Sequence, residues 1–213
     1  MSQDTGSDNN YGSHSPLHDD VLATDPFALF GAWFEEAKKH EINDPDAIAL
    51  SSVAPNGMPS VRMVLLKQWS EEGFTFFTNY DGRKGEELLA TGKAAFVMHW
   101  KSLRRQVRVV GSVAPIDAAA SDAYFASRPR GSQIGAWASI QSRPLESRDD
   151  LAARVAEIEK TYPDIVPRPP HWGGFMIRPE EMEFWADGAF RLHDRFQFNP
   201  DDSGKWVPQR LYP

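Results

Sequence analysis

From Ala47 onward the apolar residues of this chain come in short runs broken by turn chemistry, which limits it to a sheet-dominated fold. Ala47 to Val53, Pro59 to Gln68, Phe74 to Thr78, Ala94 to Trp100 and Arg105 to Ala114 each have strand length. Pro55-Asn56-Gly57 and Lys101-Ser102-Leu103-Arg104 supply turns between neighbours. Beyond a proline-rich connection, Pro163 to Pro170, lie Gly174 to Ile177, Met182 to Ala186, Arg191 to Asn199 and Trp206 to Leu211, read as three or four closing strands. Helices are fewer. Asp25-Pro26 reads as an N-cap followed by proline at the first helical position, and Phe27, Phe30, Trp33, Phe34 and Ala37 recur at helical spacing, so a first helix is expected over 26–40. Others are expected near Arg83 to Thr91, Asp117 to Ser127 and Ser147 to Tyr162, the last opened by Ser147 with Asp150 three residues on. Few βαβ alternations are visible and no internal repeat, so the pattern predicts a mainly β protein. A small antiparallel barrel with peripheral helices, one domain over 25–213, fits it best.

Residues 1–24 are rich in Ser, Asp, Asn and Gly and are expected to form a mobile tail, because they cannot bury enough apolar surface to offset the entropy of ordering. The start Met1-Ser2-Gln3-Asp4 lacks the basic and apolar segments of a secretory leader, so cytoplasm is the expected compartment. No apolar stretch approaches the roughly 18 residues that a membrane span requires. The chain has no cysteine, which excludes disulfides, thiolate metal sites and cysteine nucleophiles. Its net charge of −7 disfavours nucleic acid, since backbone binding draws on a surplus of Lys and Arg. Any phosphate must therefore be held by cations placed locally for it.

Four clusters could do so. In the strand Arg62-Met63-Val64-Leu65-Leu66-Lys67, alternation puts Arg62, Val64 and Leu66 on one face and Met63, Leu65 and Lys67 on the other. Taken alone, it reads more simply as a strand with solvated ends. Arg83-Lys84 stands where a helix begins after Asn79-Tyr80-Asp81-Gly82; cations there oppose the helix dipole, which suggests a bound anion or else a surface turn. After Tyr124, the stretch from Ser127 to Ser139 brings Arg128 and Ser132, whose fork and hydroxyl suit phosphate oxygens, though an arginine-rich connection is the plainer alternative. Finally, if Arg191 to Arg195 is a strand, Arg191, His193 and Arg195 share a face and concentrate positive charge. A metal is not expected: the six histidines lack paired ligand spacing and no dense carboxylate cluster accompanies them. Neither G-x-G-x-x-G nor G-x-x-x-x-G-K-[ST] is present. Spacing alone thus points to one or two small phosphorylated ligands.

At these residues the chain closely resembles the pyridoxamine 5′-phosphate oxidase family, from Asp25 to Pro213. The carriers are Asp25-Pro26 with its Phe-rich helix, Arg62 to Lys67, Phe77-Thr78-Asn79 with Arg83-Lys84, Arg105-Gln106-Val107, and Ser127-Arg128-Pro129-Arg130 through Trp137. Further carriers are Gln141-Ser142, Trp172-Gly173-Gly174-Phe175, Glu183-Phe184-Trp185, Arg191-Leu192-His193-Asp194-Arg195 and the ending Arg210-Leu211-Tyr212-Pro213. The resemblance implies an FMN-binding split β-barrel, antiparallel and Greek-key-like, assembled as a homodimer with active sites at the interface. It implies FMN contacts from Arg62, Met63, Val64, Leu65, Leu66, Lys67, Phe77, Thr78, Arg83, Lys84, Gln106, Gln141, Ser142, Trp185 and Arg195, with Arg62 and Lys84 on the phosphate. It also implies that Lys67, Tyr124, Arg128 and Ser132 hold the substrate phosphate, with Arg191 and His193 over the pyridine ring as the catalytic pair.

The activity implied is oxidation of pyridoxamine or pyridoxine 5′-phosphate to pyridoxal 5′-phosphate. Hydride passes from substrate C4′ to flavin N5, dioxygen is the final acceptor, and hydrogen peroxide is released, with ammonia from the amine. Some family members carry an Arg-x-x-Tyr element ahead of the first helix; here Tyr11 follows Asp8-Asn9-Asn10, so the resemblance does not extend to a tail lid. The rival readings are a split-barrel flavoenzyme for another aromatic substrate, such as the phenazine-pathway oxidases, and a carrier that binds the ligands without turnover.

Overall fold

A computed structural model of the chain describes residues 19–213. Most of the expected tail, including Tyr11, lies outside the described residues; its end, Asp19–Ala23, is a 3-10 turn that buries Val21. Five helices, α1 (Pro26–His40), α2 (Arg83–Thr91), α3 (Ala118–Ser127), α4 (Arg130–Ala138) and α5 (Arg148–Thr161), accompany eight strands. The strands are β1 (Ala47–Val53), β2 (Pro59–Ser70), β3 (Gly73–Asn79), β4 (Lys93–Trp100), β5 (Arg105–Pro115), β6 (Trp172–Ala186), β7 (Asp194–Pro200) and β8 (Trp206–Leu211). Their hydrogen-bonded order is β3-β2-β1-β4-β5-β6-β7-β8, and β3 pairs again with β6, so the first six close into an antiparallel barrel. Closure leaves those six strands without an open edge.

The contacts divide the chain into two compact units. One comprises the described residues up to Ala49, Ala95–Val110 and Pro179–Pro213. Its helix α1 forms where the sequence signals it: the Asp25 carboxylate caps the amides of Phe27 and Ala28, Pro26 sits at the first turn, and Lys38, Lys39 and His40 suit the carbonyl end of the dipole. The apolar stripe of α1 buries Phe30, Trp33 and Phe34 in an aromatic core, with Trp33 edge-on to Phe184 at 5.3 Å and Phe34 stacked on Trp100.

The other unit comprises Leu50–Ala94 and Gly111–Arg178. Here β3 runs antiparallel to β6 with Phe76 opposite Phe175, and its residues are nearly all buried, as a strand covered on both faces requires. Beside it α3, α4 and α5 gather around Phe125, Ile134, Val166 and Trp172.

Three local expectations change. Gly174 to Ile177 and Met182 to Ala186 are one uninterrupted strand, β6, so the closing strands number three. The stretch from Ser127 to Ser139 holds a helix, α4, rather than an irregular connection. Strand β7 begins at Asp194, not Arg191: Phe190 and Arg191 are in the left-handed region, with φ of 57° and 62°, which breaks the alternation that would have aligned Arg191, His193 and Arg195.

Candidate functional site

The nominated residues fall into three centres, each within one unit. The first is built on β2 and α2. Burial along β2 alternates as the sequence suggests, with Arg62, Val64 and Leu66 turned inward and Met63, Leu65 and Lys67 exposed. A register shift between Leu66 and Gln68 in the β2–β3 ladder leaves Lys67 in a bulge, a device that re-aims a side chain. Arg62 is largely committed. Its Nη1 donates to Leu50 O at 3.0 Å and Ser52 Oγ at 2.6 Å, and its Nη2 to Ser60 Oγ and to Glu87 Oε2 at 3.5 Å. Among the described residues that leaves Nε–H as its remaining donor.

Glu87, on α2, is the hub that sequence reading missed. It lies four residues after Arg83, the spacing of helical ion pairs, and its Oε1 accepts from Arg83 Nε at 2.8 Å. Its Oε2 accepts from Ser52 and Ser60, each at 2.5 Å. Burial alone would push this carboxyl up, but the hydrogen bonds from Ser52, Ser60 and Arg83, with the Arg83 charge, bring it down to about 2. It is a fixed anion among cations.

Lys84 lies beside this hub and donates to Gln141 Oε1, which also accepts from Thr78 Oγ1 at 3.4 Å. Burial, and then the charge of Arg62, lower its ammonium to about 8. Ser142 follows Gln141 with φ of 68° and is exposed.

The second centre is aromatic. Tyr124 of α3 stacks on Phe77 of β3 at 3.8 Å between centroids, nearly parallel, and Trp172 lies parallel beyond them. The Arg128 guanidinium lies 4.6 Å from the Trp172 ring and 5.6 Å from that of Phe125. Its Nη1 is buried with no hydrogen-bond partner among the described residues, and burial lowers its pKa. Ser132 is in the first turn of α4, where its amide and that of Gln133 turn back to Pro129 O.

The third centre is in the unit that contains α1. Trp185 and Arg195 are cross-strand partners on β6 and β7, and Gln106 lies half-buried on β5. Arg195 grips Glu183 with two parallel bonds, Nε to Oε1 at 3.0 Å and Nη2 to Oε2 at 2.9 Å, and its Nη1 donates to Tyr212 O. That hydrogen-bonded pairing raises its pKa. The His193 ring lies 4.7 Å from that of Trp185, and its Nδ1 accepts from Gly188 N–H at 3.1 Å. Arg191 is exposed.

Residues 34–162 match the family described as pyridoxamine 5′-phosphate oxidase, and residues 172–213 match the region described as pyridoxine 5′-phosphate oxidase C-terminal dimerisation region. A pyridoxine/pyridoxamine 5′-phosphate oxidase from Brucella canis is 56% identical over 197 residues, which cover 92% of this chain and 97% of the relative. A protein of the same description from Brucella suis biovar 1 is also 56% identical, over 92% of this chain and 95% of its own. Among solved structures, PhzG from Burkholderia lata 383, in complex with tetrahydrophenazine-1-carboxylic acid, is 30% identical with a TM-score of 0.87, covering 95% of this chain and 100% of that one. A pyridoxamine 5′-phosphate oxidase-related, FMN binding protein from Nostoc punctiforme has a TM-score of 0.72 over 89% of this chain and 99% of its own; at 15% identity this is likeness of fold alone.

Proposed function

Because this chain belongs to the pyridoxamine 5′-phosphate oxidase family and has the fold of the FMN-binding split barrel, we propose that its three centres hold FMN and a phosphorylated pyridine. The chain is an oxidase that converts pyridoxamine or pyridoxine 5′-phosphate to pyridoxal 5′-phosphate. The match of residues 172–213 to the dimerisation region supports a dimer, and in this reading each active site lies at its interface and draws on both subunits.

The first centre suits the FMN phosphate. Arg62, Arg83 and Lys84 bring positive charge together, and the lowered pKa of Lys84 marks a cation that an incoming dianion relieves. Arg62 has one donor left for this task, so its field and its hold on β2 matter more than a fork. Met63, Val64, Leu65, Leu66 and Lys67 would line the flavin with Phe77, Thr78, Gln141 and Ser142, and Gln106, Trp185 and Arg195 belong to the same set. When bound, the flavin supplies the two-electron acceptor that takes hydride from C4′ and passes the electrons to dioxygen.

The substrate assignment rests on one observation: Arg128 keeps a buried nitrogen with no partner among the described residues. An unpaired donor of this kind costs free energy unless something negative arrives to meet it. With Tyr124, Ser132 and Lys67 it forms the proposed grip on the substrate phosphate. Arg191 and His193 then orient the ring and its reacting carbon, and His193 Nε2 carries no hydrogen bond to any described residue.

Incubating the purified protein with FMN and pyridoxamine 5′-phosphate in air, while following the aldehyde and hydrogen peroxide, tests the reading. Both products are expected, and phosphate-free pyridoxamine should be a far poorer substrate. If neither phosphorylated vitamer yields aldehyde, the reading fails; turnover of a reduced phenazine carboxylate in their place would favour the substrate class held by the Burkholderia structure.

A further inference from the structure

We infer that Asp187 is a positioning residue for His193, acting with Arg104 to hold the loop after β6 in the form that keeps His193 Nε2 free for substrate. The inference rests on the proposed role of His193 at the substrate ring.

Both carboxylate oxygens of Asp187 are in use. Oδ2 accepts from Arg104 Nη1 at 2.7 Å, and Oδ1 lies 3.2 Å from His193 Nδ1. The backbone repeats the first link, since Asp187 N–H donates to Arg104 O at 3.0 Å. Asp187 is thus tied to the β4–β5 turn through main chain and side chain together, and it meets the imidazole from that anchored place.

The loop needs such an anchor. Phe190 and Arg191 adopt left-handed conformations that non-glycine residues keep only where the surroundings fix them. Within the loop, Leu192 N–H donates to Ala189 O at 3.0 Å, and Gly188 leaves no room for a Cβ, which would fall 2.8 Å from the Leu192 carbonyl carbon. Phe190 and Leu192 are exposed on the single chain, so apolar burial within the subunit does not supply the hold.

Nδ1 faces the protein between two partners that use it differently: it accepts from Gly188 N–H when it carries no proton, and donates to the Asp187 carboxylate when it does. The second arrangement is the one inferred for the working enzyme, since a carboxylate that orients a working histidine acts through that nitrogen.

The test measures kcat and KM of the FMN-loaded enzyme for pyridoxamine 5′-phosphate in Asp187→Asn, Asp187→Ala, His193→Ala and the double variant Asp187→Asn/His193→Ala, with flavin content and Tm recorded for each. Asp187→Asn keeps the shape of the side chain and guards against a variant that fails to fold. Loss of a hydrogen bond to a charged group predicts a fall in kcat of roughly tenfold in Asp187→Asn, with flavin retained. In the His193→Ala background that fall should vanish, because a residue acting through His193 has nothing left to position. If Asp187→Asn and Asp187→Ala stay within about twofold of the parent while His193→Ala is impaired, or if the fall persists undiminished in the double variant, the inference is overturned and the site reading stands. If His193→Ala leaves turnover intact, both are overturned.

Discussion

The Glu87 carboxylate lies 3.5 Å from the Arg62 guanidinium and 2.8 Å from Arg83 Nε, so one buried anion joins the two arginines of the first centre. Its removal takes the carboxylate from the half-buried Arg62 and the acceptor from the Ser52 and Ser60 hydroxyls, while the exposed Arg83 turns to water. Glu87→Ala should cost about 3–5 kcal/mol, measured by urea unfolding, and Glu87→Gln less, because the amide still accepts the serine hydroxyls. A loss under about 1 kcal/mol for Glu87→Ala would mean that the hub is not needed for the fold.

The same group sets an acid limit. Glu87 is held at about 2, below the ordinary glutamate value near 4.3, so the unfolded chain takes up its proton first as pH falls. Its contribution is complete above roughly pH 5 and drains away toward pH 2. Unfolding free energy followed over that range should fall less steeply in Glu87→Gln than in the parent.

Lys84 acts in the opposite direction. Its ammonium is lowered to about 8, so between about 8 and its ordinary value the native protein has released a proton that the unfolded chain retains, and stability from this group rises with pH. Binding a phosphate dianion requires the proton back. FMN affinity should therefore weaken above about pH 8, approaching tenfold per pH unit, whereas riboflavin, which has no phosphate, should show no such step. Lys84→Met should abolish the FMN step; a step that survives in that variant points to another group.

Arg128 keeps a desolvated nitrogen against Trp172 that no described residue partners. Arg128→Met retains apolar contact and removes the buried charge, so it should raise KM for pyridoxamine 5′-phosphate by about 100-fold or more while Tm stays at or above that of the parent. By contrast, Arg168→Met, which breaks bonds to Asp122 and to Trp172 O, should lower Tm. Equal Tm losses in the two would mean that Arg128 is structural.

Gly85 follows Lys84 where α2 passes close to the preceding turn. A Cβ there would fall 2.6 Å from Asn79 O and closer still to Tyr80 O, both backbone atoms that cannot swing aside. Gly85→Ala should cost about 2–3 kcal/mol by urea unfolding and weaken flavin retention.

Much of this protein could be read from its sequence because the signals are local. The run Asp25-Pro26 with its aromatic stripe fixed α1 to the residue, Ser147 capped α5 as its spacing implied, and alternation along β2 sorted Arg62 from Lys67. Those features depend on dihedral preference, capping and periodicity, which neighbours along the chain decide. What failed was also local in form but decided elsewhere. Arg191 to His193 has strand composition, yet Phe190 and Arg191 turn left-handed and His193 meets Gly188 and Asp187 rather than pairing in the sheet.

Apart from the Arg83–Glu87 pair within α2, the charge partners of the site belong to the tertiary structure. Nothing along the chain announces that Glu87 meets Ser52, Ser60 and Arg62, that Asp187 meets Arg104 and His193, or that the Arg195 fork is taken by Glu183. Asp187 and His193 meet across a turn of one loop, and the other pairs join separate strands, helices and turns that come together only once the sheet has formed. The sequence set out the cations and, through the family resemblance, the phosphates proposed for them; folding decided which of them keep a donor to offer.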